Sequence, residues 1–224
     1  MQCIEQEVAA LLNKNENGHG MEHVLRVVKL ASRFAKQEKA NLELTTLIAL
    51  LHDVDDYKLS GQEDANSLNN AKRIMKDCKI DVTTQEQVLQ AIHEIGFGKR
   101  LKGITPTSLE AKVVSDADMC DASGINGILR AYAYNLSFKR PFFKEDAFPI
   151  LNISGAEYTT RTSEATMDHI FEKILRLKDF MLTNSGKKEA TIRHEAVVSV
   201  LQEFFREEDN ATWQNFLNEY LKNN

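Results

Sequence analysis

The chain has 224 residues, 42% of them hydrophobic, and 28 basic against 33 acidic side chains for a net charge of −5. That length is enough for one large domain or two small ones, each with a full core. No apolar run exceeds five residues, as at 47–51, which excludes a membrane-spanning helix. The acidic balance argues against coating a nucleic-acid polymer but leaves room for a small cationic pocket.

The start, Met1-Gln2-Cys3-Ile4-Glu5-Gln6-Glu7, lacks the basic-then-apolar layout of a signal peptide. Val24, Val27, Val28, Ala31 and Phe34 recur at helical spacing and predict an amphipathic helix over 20–39. Leu44, Leu47, Ile48 and Leu51 predict a second over 42–53, with Asn41 as its N-cap. Further helices are expected near 63–78, 84–95, 109–122 and 124–136, with Gly96, Gly98 and Gly103 forming the connection after 84–95. All three prolines (Pro106, Pro141, Pro149) fall between 106 and 149, and 137–160 reads as one long irregular segment carrying Phe138, Phe142, Phe143 and Phe148. The second half predicts a long helix over 161–183, stopped by Asn184-Ser185-Gly186. Two more helices are expected, over 187–208 and 210–222. With no alternating strand pattern, the expectation is all-α, a single domain over 1–224. Cys3, Cys78 and Cys120 are odd in number and form no CxxC pair, so neither a disulfide framework nor a zinc-thiolate site is expected. They favour a reducing, cytoplasmic location.

Chemistry-bearing residues cluster in the first half. His52-Asp53 ends an apolar helix and is followed by Asp55, Asp56 and Lys58. A helix so apolar is buried, so its terminal polar pair emerges from the core at a rigid end; a plain polar helix end is the competing reading. His23 follows His19 by four residues and precedes Arg26 by three, on one helix face. Taken alone it also fits a core-edge histidine bonded to a carbonyl. Asp116, Asp118 and Asp121 punctuate an otherwise buried helix, and one of Asp118 and Asp121 faces inward with Val114. A buried carboxylate is costly unless paired or bound to a cation. Two imidazoles with two carboxylates suit a hard-to-borderline divalent ion.

In this order and spacing, Gly18-His19-x-x-x-His23-Val24-x-Arg26-Val27, Leu51-His52-Asp53-Val54-Asp55-Asp56-Tyr57-Lys58 and Ser108-Leu109-Glu110-Ala111-Lys112-Val113-Val114-x-Asp116-Ala117-Asp118 resemble the HD-domain superfamily of metal-dependent phosphohydrolases. They are most similar to a bacterial subgroup that includes nucleoside triphosphate pyrophosphohydrolases. The tail, from Phe171 through Lys178, Gly186 and Arg193-His194, resembles the same subgroup. The resemblance implies a helical HD core over about 18–136 with added C-terminal helices over 161–224, and metal ligands His23, His52, Asp53 and Asp118. It departs at Met119-Cys120, where the subgroup has Arg-Leu, and at Glu94, where it often has Ser.

The cofactor expected is one divalent ion, manganese in preference to magnesium, iron, cobalt, nickel or zinc. It would polarise a phosphoryl oxygen and activate a bound water. Asp56, four residues after His52 and preferred over Asp55, is the candidate base. Arg26, Lys58, His93 and His19 are candidate phosphate contacts. Lys99, Arg100 and Lys102 read as a solvated basic loop, Lys178 and Arg193 as lesser candidates, and His169 and His194 as structural. The expected partner is a small phosphorylated substrate, a nucleotide above all. No nucleic-acid polymer or membrane partner is expected, and a homo-oligomer is compatible with the sequence. The alternative is a metal-bearing nucleotide sensor without turnover. No P-loop, GxGxxG or GxSxG occurs to support kinase, dinucleotide or serine-hydrolase chemistry.

Overall fold

The computed structural model describes residues 1–12, 20–55, 67–151 and 163–223. Among these, eleven α-helices and one 3-10 helix occur and no strand, in agreement with the all-α expectation. The helices are α1 Gln2–Leu12, α2 Met21–Glu38, α3 Leu42–Leu51, α4 Asn69–Asp77, α5 Val82–Glu94, α6 Phe97–Leu101, α7 Leu109–Asp121, α8 Gly124–Ser137, α9 Thr166–Glu172, the 3-10 helix Ile174–Phe180, α10 Asn184–Glu207 and α11 Ala211–Asn223.

Helices α2, α3 and α7 pack on one another and set the geometry of the first half. Val24, Val27 and Phe34 of α2 meet Leu47, Ile48 and Leu51 of α3 and Val113, Val114 and Ala117 of α7 in one buried cluster. Local chemistry fixes where these helices start. The Asn41 side chain accepts from Leu44 N–H at 3.1 Å, and Ser108 Oγ accepts from Ala111 N–H at 3.1 Å. The backbone N–H of Asn41 donates to Glu110 at 2.8 Å, so α3 and α7 begin side by side. Both then run the same way, and their C-terminal ends, which carry negative partial charge, converge with the N-terminus of α2.

A second cluster joins α8, α9, the 3-10 helix, α10 and α11 around Phe171, Leu201, Phe205, Trp213 and Leu217. Trp213 is fully buried and stacks on Phe148 at 4.6 Å between ring centroids, so it packs the terminal helices. Within the 137–160 segment Ser137 ends α8, and residues 138–151 contain no helix or strand. Its Phe142 and Phe143 pack edge-on against Phe204.

Three expectations need correction. The long helix predicted over 161–183 is two short pieces, α9 and the 3-10 helix, followed by extended chain at Met181. Asn184-Ser185-Gly186 does not end a helix but opens α10, with Thr183 as N-cap accepting from Gly186 N–H at 3.0 Å. The cause is Asp116 of α7, fully buried, which accepts from Leu182 N–H at 2.9 Å, Thr183 N–H at 2.7 Å and Thr183 Oγ1–H at 2.6 Å. It satisfies these donors where a continuous helix would have used them. Gly186 is there for proximity: a Cβ on it would lie 2.2 Å from the Asp116 carboxylate. The second correction is that Cys3 and Cys78 form a disulfide, Cα atoms 5.8 Å apart, between α1 and the end of α4. Their separation of 75 residues hides the pairing from any local spacing rule. Third, α1 and the short α6, the latter within the glycine-bounded connection, are helices that the apolar pattern did not reveal.

Candidate metal centre

Four side chains meet where α2 begins and α3 and α7 end. His23 lies in the first turn of α2, His52 is the C-cap of α3 with Asp53 next to it, and Asp118 sits in the last turn of α7. His23 Nε2 is 3.3 Å from His52 Nε2, 3.3 Å from Asp53 Oδ2 and 3.5 Å from Asp118 Oδ1. His52 Nε2 is 3.7 Å from Asp53 Oδ1 and 3.8 Å from Asp118 Oδ1. Donor atoms held about 2.1 Å from one ion lie about 3.0–3.4 Å apart, so these separations are near those of one coordination sphere.

The hydrogen bonds behind the imidazoles set their tautomers. His52 Nδ1–H donates to the Ala49 carbonyl at 2.7 Å, and His23 Nδ1–H donates to Asp121 Oδ2 at 2.7 Å. Both Nε2 lone pairs therefore face the same point as the Asp53 and Asp118 carboxylates. Two lone pairs and two negative charges on one point repel unless a cation lies among them. The pKa of His23 records this preference. Burial alone would lower it, but the hydrogen bonds to Asp121 and Asp53 and the Asp53 charge raise it to about 9. His23 is 2% exposed and Asp118, at 23% of its side chain, opens the cluster to solvent. His23, His52 and Asp118 suffice geometrically to hold a metal ion, and the nitrogen–oxygen donor set fits a divalent ion of hard-to-borderline character.

Behind His23 stands Asp121, 1% exposed, which the sequence pattern offered only as an alternative to Asp118 for the inward-facing carboxylate. Its Oδ1 accepts from Arg26 Nε at 2.7 Å, and its Oδ2 accepts from Arg26 Nη2 at 3.1 Å and Arg130 Nη1 at 2.6 Å. Burial raises the pKa of Asp121, but the bonds from His23 and Arg26 and the charges of His23 and Arg130 outweigh it. They hold this carboxyl well below the usual carboxylate range. A carboxylate that fixes the outer nitrogen of a ligating histidine is a common support of metal sites. The signal for Asp121 was its place one helical turn after Asp118. Arg130 had none, since it lies on the next helix.

The remaining predicted residues divide. Arg26 is one turn from His23 and joined to it through Asp121. His93 is exposed on α5, its pKa lowered by partial burial and by the charges of Lys99 and Lys72. His19, Asp56 and Lys58 lie outside the described residues. Asp55 is buried and accepts from Asn70 and Ala71 N–H at 2.9 and 2.8 Å, capping α4 rather than facing solvent. Lys99 donates to the Ile92 carbonyl at 2.8 Å and Arg100 to Thr105, so both serve their own loop, while Lys102 is exposed. Arg193 donates to the Cys120 carbonyl at 2.8 Å and to Glu189 at 2.7 Å, tying α10 to α7. His169 and His194 lie on α9 and α10, and the His194 pKa is lowered by burial and by Lys178.

Residues 20–123 match the HD domain family. YpgQ of Bacillus subtilis (strain 168), an uncharacterized protein, is 28% identical over 201 residues, 89% of either chain. Its crystal structure in complex with ADP superposes with a TM-score of 0.71 at 25% identity, covering 91% of this chain and 95% of that one. A crystal structure from Lactobacillus plantarum gives a TM-score of 0.81 at 28% identity over 93% of this chain and 96% of that one. An HD-superfamily hydrolase from Bacillus thuringiensis gives 0.70 at 27% identity over 93% and 96%. The ordered histidine and aspartate motifs, their meeting at the ends of three packed helices and these likenesses agree: residues 20–123 are similar to the HD domain family in sequence and in arrangement.

Proposed function

We propose that this protein is a divalent-metal-dependent phosphohydrolase whose substrate is a nucleotide, with release of pyrophosphate from a nucleoside triphosphate as the favoured reaction. The observation that carries the reading is the convergence of His23 Nε2, His52 Nε2 and the Asp53 and Asp118 carboxylates within 3.3–3.8 Å, with both imidazole tautomers set from behind. These four residues hold the ion, manganese in preference. A divalent ion there supplies Lewis-acid polarisation of a phosphoryl oxygen and a more acidic water. Asp56, four residues after His52 in sequence, accepts the proton of the attacking water. Arg26, Lys58, His93 and His19 bind and orient the phosphates, and the charges of Lys72 and Lys99 near His93 add to the cationic rim. The ADP bound by YpgQ, a relative over nine-tenths of the chain, supports a nucleotide over other phosphate esters.

The test is a panel of nucleoside mono-, di- and triphosphates with manganese, assayed separately for phosphate and pyrophosphate. Pyrophosphate from triphosphates is the expected product. Nucleotide binding without either product, in protein that holds its metal, would make this chain a sensor instead of an enzyme.

A further inference from the structure

Helix α8 is apolar on two sides. Gly124, Gly127, Ile128 and Ala131 are buried, and the last two join the second cluster against α9, the 3-10 helix and α10. Elsewhere on the helix, Ile125, Leu129, Tyr132 and Leu136 are 45%, 59%, 37% and 57% exposed. Their steps of four, three and four residues follow the 3.5-residue repeat of a helix–helix seam, and at 100° per residue they share an arc of about 60°. Beside this seam lie Asn126, Ala133 and Ser137, exposed and uncharged. Arg130 is the one charged residue of α8, and it bonds to Asp121. An ordinary surface helix exposes charge, as α2 does with Glu22, Lys29, Arg33 and Lys36. An exposed face without charge over about three helical turns has the composition of a covered surface.

We propose that this face of α8 docks antiparallel on α8 of a second copy of the chain, forming a two-fold symmetric dimer through Ile125, Leu129, Tyr132 and Leu136. The seam is complementary to itself. An antiparallel two-fold sets Ile125 against the partner's Leu136 and Leu129 against the partner's Tyr132, so every apolar side chain meets another. Charge selects this order. A parallel pair would press Lys139, exposed two residues past the end of α8, against its own copy, whereas antiparallel helices keep the two lysines about 20 Å apart and oppose their dipoles. The seam and its flank offer about 600 Å² per copy, and the resulting total of about 1,200 Å² reaches the range of specific interfaces. A lipid surface would call for cations along the flank, and Asn126, Ala133 and Ser137 supply none.

The experiment is sedimentation of the full chain over a range of concentrations. The wild type should approach twice the 25.4 kDa chain mass as concentration rises. Leu129→Glu puts one carboxylate from each copy into the seam and should raise the dimer dissociation constant at least about 100-fold. Because Leu129 is exposed in the single chain, this variant should melt no lower than the dissociated wild type. Val82→Glu, at an exposed position on α5, should dimerise as the wild type does. If Leu129→Glu does not fold, cysteine pairing decides. Leu129→Cys and Tyr132→Cys proteins, mixed in equal amounts and oxidised, should cross-link to each other and not to themselves. A wild type that stays monomeric at every concentration would overturn the proposal. So would a dimer that Leu129→Glu leaves intact, or Leu129→Cys protein that cross-links to itself as readily as in the mixture.

Discussion

Asp121 is the residue on which the site turns, since one buried carboxylate orients a metal-facing imidazole and two arginines. Asp121→Asn removes the charge but keeps the shape, and should weaken metal binding by about 10–100-fold, read by competition with a chelator. His23 adds a pH dependence whose sign follows from its raised pKa. Without metal, its pKa of about 9 keeps it protonated at neutral pH. A metal must displace that proton, so metal affinity should rise with pH up to about 9, by about ten-fold per unit, and level off above. Calorimetry in buffers of different ionisation enthalpy should count about one proton released per ion bound at pH 7. The four converging residues were legible through the resemblance of their ordered motifs to a known family, since helix spacing alone left His23 a core-edge histidine and did not choose between Asp118 and Asp121. The partners behind them were not. Arg130 reaches Asp121 across a helix break, and no spacing rule spans that break.

At the scale of elements, helix starts were readable and long-range breaks were not. Asn41 and Ser108 cap their own helices, which is local chemistry. The break before α10 is set by Asp116, which lies 66 residues from Leu182 and 67 from Thr183. Judged by sequence neighbours alone, Asn184-Ser185-Gly186 has the composition of a stop, and only the approach of α7 turns it into a start. Gly186→Ala should therefore be far costlier than its surroundings imply, by about 2–3 kcal/mol in urea unfolding, because the new methyl meets the pinned Asp116 carboxylate. If Gly186→Ala matched the wild type, Asp116 would not be held as described.

For the molecule as a whole, the Cys3–Cys78 bond closes a loop of 75 residues and ties α1 to α4, whose first turn is capped by Asp55 two positions after Asp53. Chain entropy makes such a closure worth about 4 kcal/mol. Oxidised protein should melt well above the Cys78→Ser variant, and a reductant should abolish the difference; equal melting under oxidising conditions would mean the bond is not formed. The net charge of −5 does not describe the site, where Arg26 and Arg130 both bond to Asp121 behind the ligand candidate His23. The most direct test of the metal-dependent chemistry is elemental analysis of purified wild type and His52→Ala, combined with product release from a nucleoside triphosphate. About one divalent ion per wild-type chain and pyrophosphate release are expected, both lost in His52→Ala. Equal metal in the two proteins, with neither releasing phosphate or pyrophosphate, would contradict it.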